Sequence, residues 1–172
     1  MIRKAAIAAA FLAAALLVSI AWVRSRSVSI PLGEASPIEF PGEGFSQSQR
    51  EEFLRGEFAT TRKVETLPAS FIRLVTEQNG SRFVMADPGE VFEATDVISD
   101  ASRPRRRLIF AGTADNRFFI HYEQGGRGHS YIIEFFVLAS TNTPEPKWRG
   151  HCMEPSPNIV DLRSQIAAGG CT

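Results

Sequence analysis

Residues 117–138 read RFFIHYEQGGRGHSYIIEFFVL and contain the clearest β-hairpin signal in the chain. Two runs of β-branched and aromatic residues flank a glycine-rich centre, as expected for two strands joined by a turn. A two-residue turn at Gly125-Gly126 predicts that Arg117 lies opposite Glu134, and this pairing of opposite charges supports the register. The same register predicts the pairs Phe119 with Ile132, His121 with Ser130 and Tyr122 with His129.

Turn signals before this hairpin predict further strands. Asn79-Gly80 tolerates the positive φ of a type I′ turn, so residues 71–85 are expected to form a second hairpin with Val75 opposite Val84. Six successive strands with short turns predict an antiparallel meander, curled or closed into a barrel-like sheet. The remaining turns are expected at residues 87–89 and 113–116, and the remaining strands at about residues 91–97 and 108–110.

Helices are predicted at both ends of the strand-rich region. Ser46 or Ser48 can cap a helix that runs to about Phe58 and packs on the sheet. Near the C-terminus, Ser156-Pro157 begins a short helix that Gly169 ends. The sequence therefore predicts an α+β fold, in which one helix packs on a roughly six-stranded antiparallel meander and a short helix lies in the C-terminal tail.

Cys152 and Cys171 are the two cysteines of the chain, and they bracket the predicted C-terminal helix. Neither belongs to a Cys-x-x-Cys pair, so a structural disulfide is favoured over a redox or metal-binding role. Closing a loop of ~20 residues contributes about 3 kcal/mol to stability in the chain-entropy model. We expect this disulfide to hold the C-terminal tail in place.

The N-terminus has the pattern of an export signal. Arg3 and Lys4 precede the uncharged residues 5–23, as in a signal peptide or an uncleaved signal anchor. As a helix this run would span about 28 Å, close to the ~30 Å hydrocarbon core of a bilayer. Small residues at Ser19 and Ala21 fit cleavage near Ala21, which would give a secreted protein. A retained single-pass membrane anchor with an exported C-terminal domain is the favoured interpretation.

Three segments follow from this organisation. Residues 1–23 are the anchor or signal peptide, and residues 24–45 are interrupted by proline and glycine often enough to predict an extended tether. Residues 46–172 form the exported domain, which is large enough to bury a core without a cofactor. The predicted location is the cell envelope, with the membrane contacted through residues 5–23.

The reactive side chains concentrate around the last hairpin. His121, Glu123 and His129 are candidate metal ligands, but alternation along the strands places His129 on the opposite face from the other two. A metal site is therefore not expected. His121 and Glu123 share a face and could form a general acid–base pair, although two half-exposed polar residues beside a turn explain them more simply.

Two groups of residues are candidate anion contacts. Gly125, Gly126 and Arg127 could form a small anion-binding loop from backbone N–H groups and a guanidinium. The second group is a run of arginines, which could contact anionic lipid or an acidic partner, although a solvated strand edge is the favoured interpretation. These arginines are Arg103, Arg105, Arg106 and Arg107.

Charge and motifs restrict the function. Lys and Arg number 19, equal to Asp and Glu, and the basic N-terminal segment leaves the rest of the chain net acidic. This balance argues against nucleic-acid binding, which needs a basic face. No catalytic motif is complete, so the favoured hypothesis is a non-enzymatic envelope module. It is expected to bind a protein, glycan or other envelope component through a sheet face or the glycine-rich turn. The alternative is a small exported hydrolase or metal-dependent enzyme that uses His121 and Glu123.

Overall fold

The computed structural model describes residues 38–41, 45–79, 83–126, 128–139 and 143–172. The predicted anchor and most of the predicted tether lie outside these residues. Within the described part of the chain, no helix has both the length and the apolar character needed to cross a membrane. The helices are α1 (Gln47–Arg55), α2 (Ala69–Asn79) and α3 (Ile159–Ala167), and the strands are β1 (Ala59–Thr61), β2 (Arg106–Ala114), β3 (Arg117–Gln124), β4 (Ser130–Leu138) and β5 (Pro144–Cys152).

The strands form one antiparallel sheet in the order β1-β2-β3-β4-β5. The predicted antiparallel meander is thus confirmed, but within the described residues it has five strands rather than six. The sheet is open, so the expected barrel-like closure is wrong. Helices cover both of its faces, which explains why β3 and β4 contain nearly continuous apolar runs instead of an alternating pattern.

One face of the sheet, the α2 face, packs against helix α2. Phe71 and Val75 on α2 are buried against Phe118 and Phe136, which lie opposite each other on β3 and β4. Phe40, within the predicted tether, also packs here, with its ring centroid 5.7 Å from that of Phe136. This face holds the first half of the hydrophobic core.

The other face, the α1/α3 face, is built around Phe53. This α1 side chain is fully buried, and its ring lies 5.2 Å from Phe119 and 5.9 Å from Phe135. Leu162 and Ile166 of α3 complete the cluster, as their spacing on one helical face predicts. Two helices are therefore needed to cover the part of the sheet that carries the largest aromatic side chains.

Both terminal helices and the disulfide are confirmed. Ser46 caps α1 by accepting a hydrogen bond from the Gln49 N–H, and the Gln49 side chain in turn accepts from the Ser46 N–H. Cys152 and Cys171 are bonded. The N-cap of α3 is Asn158 rather than Ser156, because the Asn158 side chain accepts from two backbone N–H groups of the first turn.

The predicted register of the last hairpin is wrong. Tyr122 lies opposite Ile132, and Arg117 lies opposite Val137 rather than Glu134. Consequently residues 125–129 all belong to the connection, instead of a two-residue turn. The observed register sets Phe118 and Phe119 opposite Phe136 and Phe135, so both faces bury large rings, and this burial outweighs a single surface ion pair.

The predicted hairpin over residues 71–85 is also wrong, because residues 69–79 form helix α2. Phe71, Leu74 and Val75 have the i, i+3, i+4 spacing of a helix, and Phe71 and Val75 are buried. Asn79, expected in a type I′ turn, is the last residue of the helix. Tertiary packing of the helical apolar side therefore prevails over the local turn signal.

Residues 91–97, predicted as a strand, have no regular secondary structure. The buried carboxylate of Glu93 accepts hydrogen bonds from the Ser99 N–H and hydroxyl and from the Asp100 N–H. These bonds fold the segment into a loop and leave Val91 and Val97 exposed. In this segment the Glu93 side chain accepts hydrogen bonds from backbone N–H groups, and these bonds take the place of hydrogen bonds between strands.

The sequence-based prediction missed β5, because its prolines suggested an irregular segment. Pro144 and Pro146 pair with Leu138 and Phe136 on one side of the strand. Within the described residues β5 is the last strand of the sheet, where proline is tolerated because no further strand requires its N–H. A register shift opposite Phe135 and Phe136 accommodates the second proline.

Gly125 supplies a stability prediction with a matched control. A Cβ at this position would overlap the Glu93 carbonyl oxygen and lie 2.7 Å from the Ala94 Cα, whereas a Cβ at Gly128 would meet nothing within 4 Å. We expect Gly125→Ala to lower the free energy of unfolding by about 2 kcal/mol, and Gly128→Ala to change it by less than about 0.5 kcal/mol. Urea denaturation measures both, and equal losses would contradict this packing.

Candidate functional site

A cleft lies along the outer edge of β2, where the two segments that pair with that edge leave a gap. β1 pairs with residues 111–113 of β2, and Ala86 forms a parallel bridge with Arg107. Between them a β-bulge at Ile109 shifts the register of β2 against β3. The sheet edge is therefore uncovered at the bulge, and we call this space the β2-edge cleft.

The β2-edge cleft has a volume of about 420 Å³, which is within the usual range of small-molecule sites. Its walls come from five segments: the residue after β1, the 88–89 turn, strand β2, strand β3 and the loop before α3. Apolar residues predominate, and three prolines stiffen the rim. The lining residues are Arg62, Pro88, Gly89, Arg107, Leu108, Ile109, Glu123, Pro155 and Pro157.

Glu123 is the centre of a charged network in one wall of the cleft. Nε of Arg107 donates to Glu123 Oε1 at 2.8 Å, Nη2 forms an ion pair with the same oxygen, and Nη1 donates to the Glu90 carbonyl oxygen. The other oxygen, Glu123 Oε2, is 2.9 Å from Nε2 of His129. The Glu123 side chain is 12% exposed, and both of its oxygens are already engaged.

The observed register brings His129 and Glu123 together, contrary to the expectation that they lie on opposite faces. His129 is the last residue of the connection between β3 and β4, and its ring packs beside that of Tyr131, with ring centroids 5.0 Å apart. The guanidinium of Arg107 lies 4.4 Å from the centroid of Phe92. An aromatic and cationic cluster therefore surrounds Glu123 at the turn side of the cleft.

Arg62 provides the second guanidinium of the cleft. Its side chain is exposed, and its Nε donates to the carbonyl oxygen of Ile109 at 3.4 Å. Among the described residues that is the single hydrogen bond of Arg62, and it makes no ion pair with them. Arg107 is neutralised by Glu123, so Arg62 carries the uncompensated charge of the described lining.

His121 shares a face with Glu123, as alternation along β3 predicts, but it is fully buried. Its Nε2 accepts a hydrogen bond from the Ser156 N–H, so Nδ1 carries the proton and donates to the Ile132 carbonyl oxygen at 2.9 Å. Burial lowers the pKa of His121 to about 4. The ring is thus held neutral, and it joins the sheet to the loop before α3.

Backbone contacts hold the first part of the glycine-rich connection. The N–H of Gly125 donates to the Arg105 carbonyl oxygen at 2.9 Å, and Gly125 is buried against Glu93. Gly126 has a φ of +139°, which favours glycine. Arg127 lies outside the described residues.

The arginine run divides between the loop and β2. Arg103 pairs with Asp100 at 3.3 Å and approaches Glu93, so it stabilises the 93–103 loop. Arg106 lies over the ring of Tyr122 at 5.7 Å. Arg105 is exposed. These arginines therefore contact different parts of the molecule and do not form a single described surface patch.

A second polar network is buried on the α2 face. Glu134, 4% exposed, accepts a hydrogen bond from the Tyr122 hydroxyl at 2.8 Å and from Nε of Arg149 at 2.9 Å. Nη2 of Arg149 forms an ion pair with the same oxygen. Burial, together with the charge of Glu134, raises the pKa of Tyr122 above its usual value. This network links β3, β4 and β5, and its Arg149 end is partly exposed.

Sequence reasoning missed the β2-edge cleft because its residues are distant along the chain. Arg62 and Pro155 had no motif around them, and a bulge at Ile109 is not marked by glycine or proline.

Within the described residues no group of three or more His, Cys, Asp or Glu side chains could hold a metal ion. Comparison of the chain with models of protein families, curated proteins and solved structures found no match.

Proposed function

We propose that this protein is a non-catalytic binding module of the cell envelope and that its ligand occupies the β2-edge cleft. The observation that carries the proposal is the cleft itself: a space of about 420 Å³ at an uncovered strand edge, with mainly apolar walls and one uncompensated guanidinium. Apolar walls with a few oriented polar groups are typical of ligand sites.

Binding is favoured over catalysis by the state of the candidate reactive groups. Both oxygens of Glu123 accept bonds from Arg107 and His129, and both ring nitrogens of His121 are bonded to backbone groups. A general acid or base needs a proton-transfer path to the substrate. Within the described residues these two side chains instead support the walls of the cleft and the loop beside it.

The envelope location rests on the N-terminal sequence and the disulfide. A bond between Cys152 and Cys171 is typical of proteins in an oxidising compartment. We expect intact protein from the native membrane fraction to keep residues 5–23 and to alkylate only after reduction. If the soluble fraction contains a protein with the mass of a chain that begins at Trp22, the protein is secreted and not anchored. Alkylation of the cysteines without reductant would contradict export.

A fragment experiment tests the binding proposal. We expect a mixed set of neutral, anionic and cationic fragments to shift the backbone amide resonances of Gly89, Arg107, Leu108 and Ile109 in the full-length chain. The amide of Val75, on the α2 face, is the internal control and should not move. Shifts confined to other regions, or no shifts at millimolar fragment concentration, would contradict the proposal.

A further inference from the structure

We propose that the β2-edge cleft selects a small amphipathic monocarboxylate, with the carboxylate bound by Arg62 and the apolar body lying on the rim prolines and Ile109. This inference rests on the proposed function and adds the chemical class of the ligand. The charge of the lining, the geometry of Arg62 and the composition of the walls each support it.

The charge of the lining favours a ligand with one negative charge. The described lining contains two cations, Arg62 and Arg107, and one anion, Glu123. Arg107 forms an ion pair with Glu123, with Nε and Nη2 each 2.8 Å from Oε1, so that pair is internally neutral. The remaining charge is +1, from Arg62, which a carboxylate would neutralise and a phosphate dianion would exceed.

The position of Arg62 suits a planar oxyanion. Its Nε–H donates to the carbonyl oxygen of Ile109, which is itself in the cleft wall, so the guanidinium is oriented along the uncovered edge of β2. Nη1 and Nη2 make no hydrogen bond to any described residue. Two free donors on one planar group match the two oxygens of a carboxylate.

The walls favour an apolar body over a polar one. Pro88, Pro155 and Pro157 form the apolar rim, and Ile109 lies on the sheet side. Prolines have no N–H and their rings fix φ, so they offer an apolar and rigid surface. A hydrocarbon chain gains affinity from contact with such walls in proportion to the apolar area removed from water.

Four eight-carbon ligands with different head groups test the inference: octanoate, 1-octanol, octylammonium and octyl phosphate. Titration calorimetry with the full-length chain should give the highest affinity for octanoate, about 10-fold or more above 1-octanol, because a charge-assisted hydrogen bond is added to the same apolar contact. Octylammonium should bind most weakly, since its charge repels Arg62.

Variants at two arginines separate the ionic contact from general charge effects. Arg62→Gln should lower octanoate affinity about 10-fold, to the level of 1-octanol, while 1-octanol binding stays unchanged. Arg62→Lys keeps the charge without the planar fork and should be intermediate. Arg55→Gln, at an 80% exposed arginine on α1, is the matched control and should bind octanoate as the wild type does.

The outcomes distinguish the two levels of the proposal. Equal binding of octanoate and 1-octanol, or octanoate binding that Arg62→Gln does not weaken, would overturn the monocarboxylate inference and leave the cleft as a neutral apolar site. Tighter binding of octyl phosphate would overturn it in favour of a phosphate ligand. Failure of all four ligands and of the fragment set would overturn the proposed function as well.

Discussion

Glu134→Ala is expected to lower the free energy of unfolding by about 3 kcal/mol, because it leaves a buried hydroxyl and a partly buried guanidinium without their partner. Arg149 donates to the Glu134 carboxylate from two nitrogens, and Tyr122 donates its hydroxyl at 2.8 Å. Replacement of the carboxylate removes all three interactions in a region where water does not reach Tyr122. Urea denaturation monitored by the fluorescence of Trp148 would measure the loss.

Glu145→Ala is the matched control for this prediction. Glu145 lies on β5, as Arg149 does, but its side chain is 53% exposed and pairs with Lys147 at the surface. Exposed ion pairs contribute little, so we expect a loss below about 1 kcal/mol. If Glu134→Ala and Glu145→Ala destabilise the protein equally, the buried network does not stabilise the sheet.

His121 is expected to make the protein less stable as the pH falls below neutrality. Its pKa is lowered from 6.5 to about 4 in the folded state, mainly by burial. Between pH 6.5 and about pH 4 the unfolded chain binds a proton at this histidine that the folded chain does not. The contribution of neutral His121 to the free energy of unfolding is therefore fully present above pH 6.5 and is lost as the pH falls. The free energy of unfolding should fall by about 2.5 kcal/mol between pH 7 and pH 4.5.

Substitution of individual histidines assigns this pH dependence. His121→Gln should remove most of the slope, whatever its effect on stability at pH 7, because glutamine does not titrate. His151→Gln, at an exposed position on β5, should keep the wild-type slope. A slope that persists in His121→Gln would show that another group takes up the proton.

The sequence predicted those parts of the fold that local signals determine. The capping box of Ser46 and Gln49, the turn at residues 113–116 and the Cys152–Cys171 disulfide each depend on residues close in sequence or on the only two cysteines. The antiparallel meander followed from short turns between β-rich runs. In these places local chemistry and tertiary packing favour the same structure.

The errors arose where tertiary packing determined the outcome. The possible ion pair of Arg117 with Glu134 suggested the wrong hairpin register. The observed register is the one that pairs the two adjacent phenylalanines of β3 with the two of β4. At Asn79 the prediction followed a turn dipeptide and not the helical spacing of Phe71 and Val75. In the structure the helix is favoured because these two side chains pack on the sheet. Strand β5 was missed because its prolines argued against a strand. Proline is tolerated in the last strand of a sheet, but sequence alone does not show which strand is last.

The candidate site was predictable only in part. Sequence reasoning identified Glu123, His121 and the glycine-rich turn as polar features of one hairpin, but it could not place Arg62 beside them. The cleft depends on a bulge in β2 and on the loop before α3, which approaches from about 45 residues away in sequence. Such a site follows from the arrangement of the sheet edge and carries no local sequence motif.

A crystal structure of the full-length chain with bound octanoate would show where the carboxylate and the hydrocarbon chain lie relative to the β2-edge cleft. We expect both carboxylate oxygens to lie within hydrogen-bond distance, about 3 Å, of Nη1 and Nη2 of Arg62, and the hydrocarbon chain to contact Ile109 and the rim prolines. Octanoate bound at any other surface, or in the cleft with its carboxylate directed away from Arg62, would contradict it.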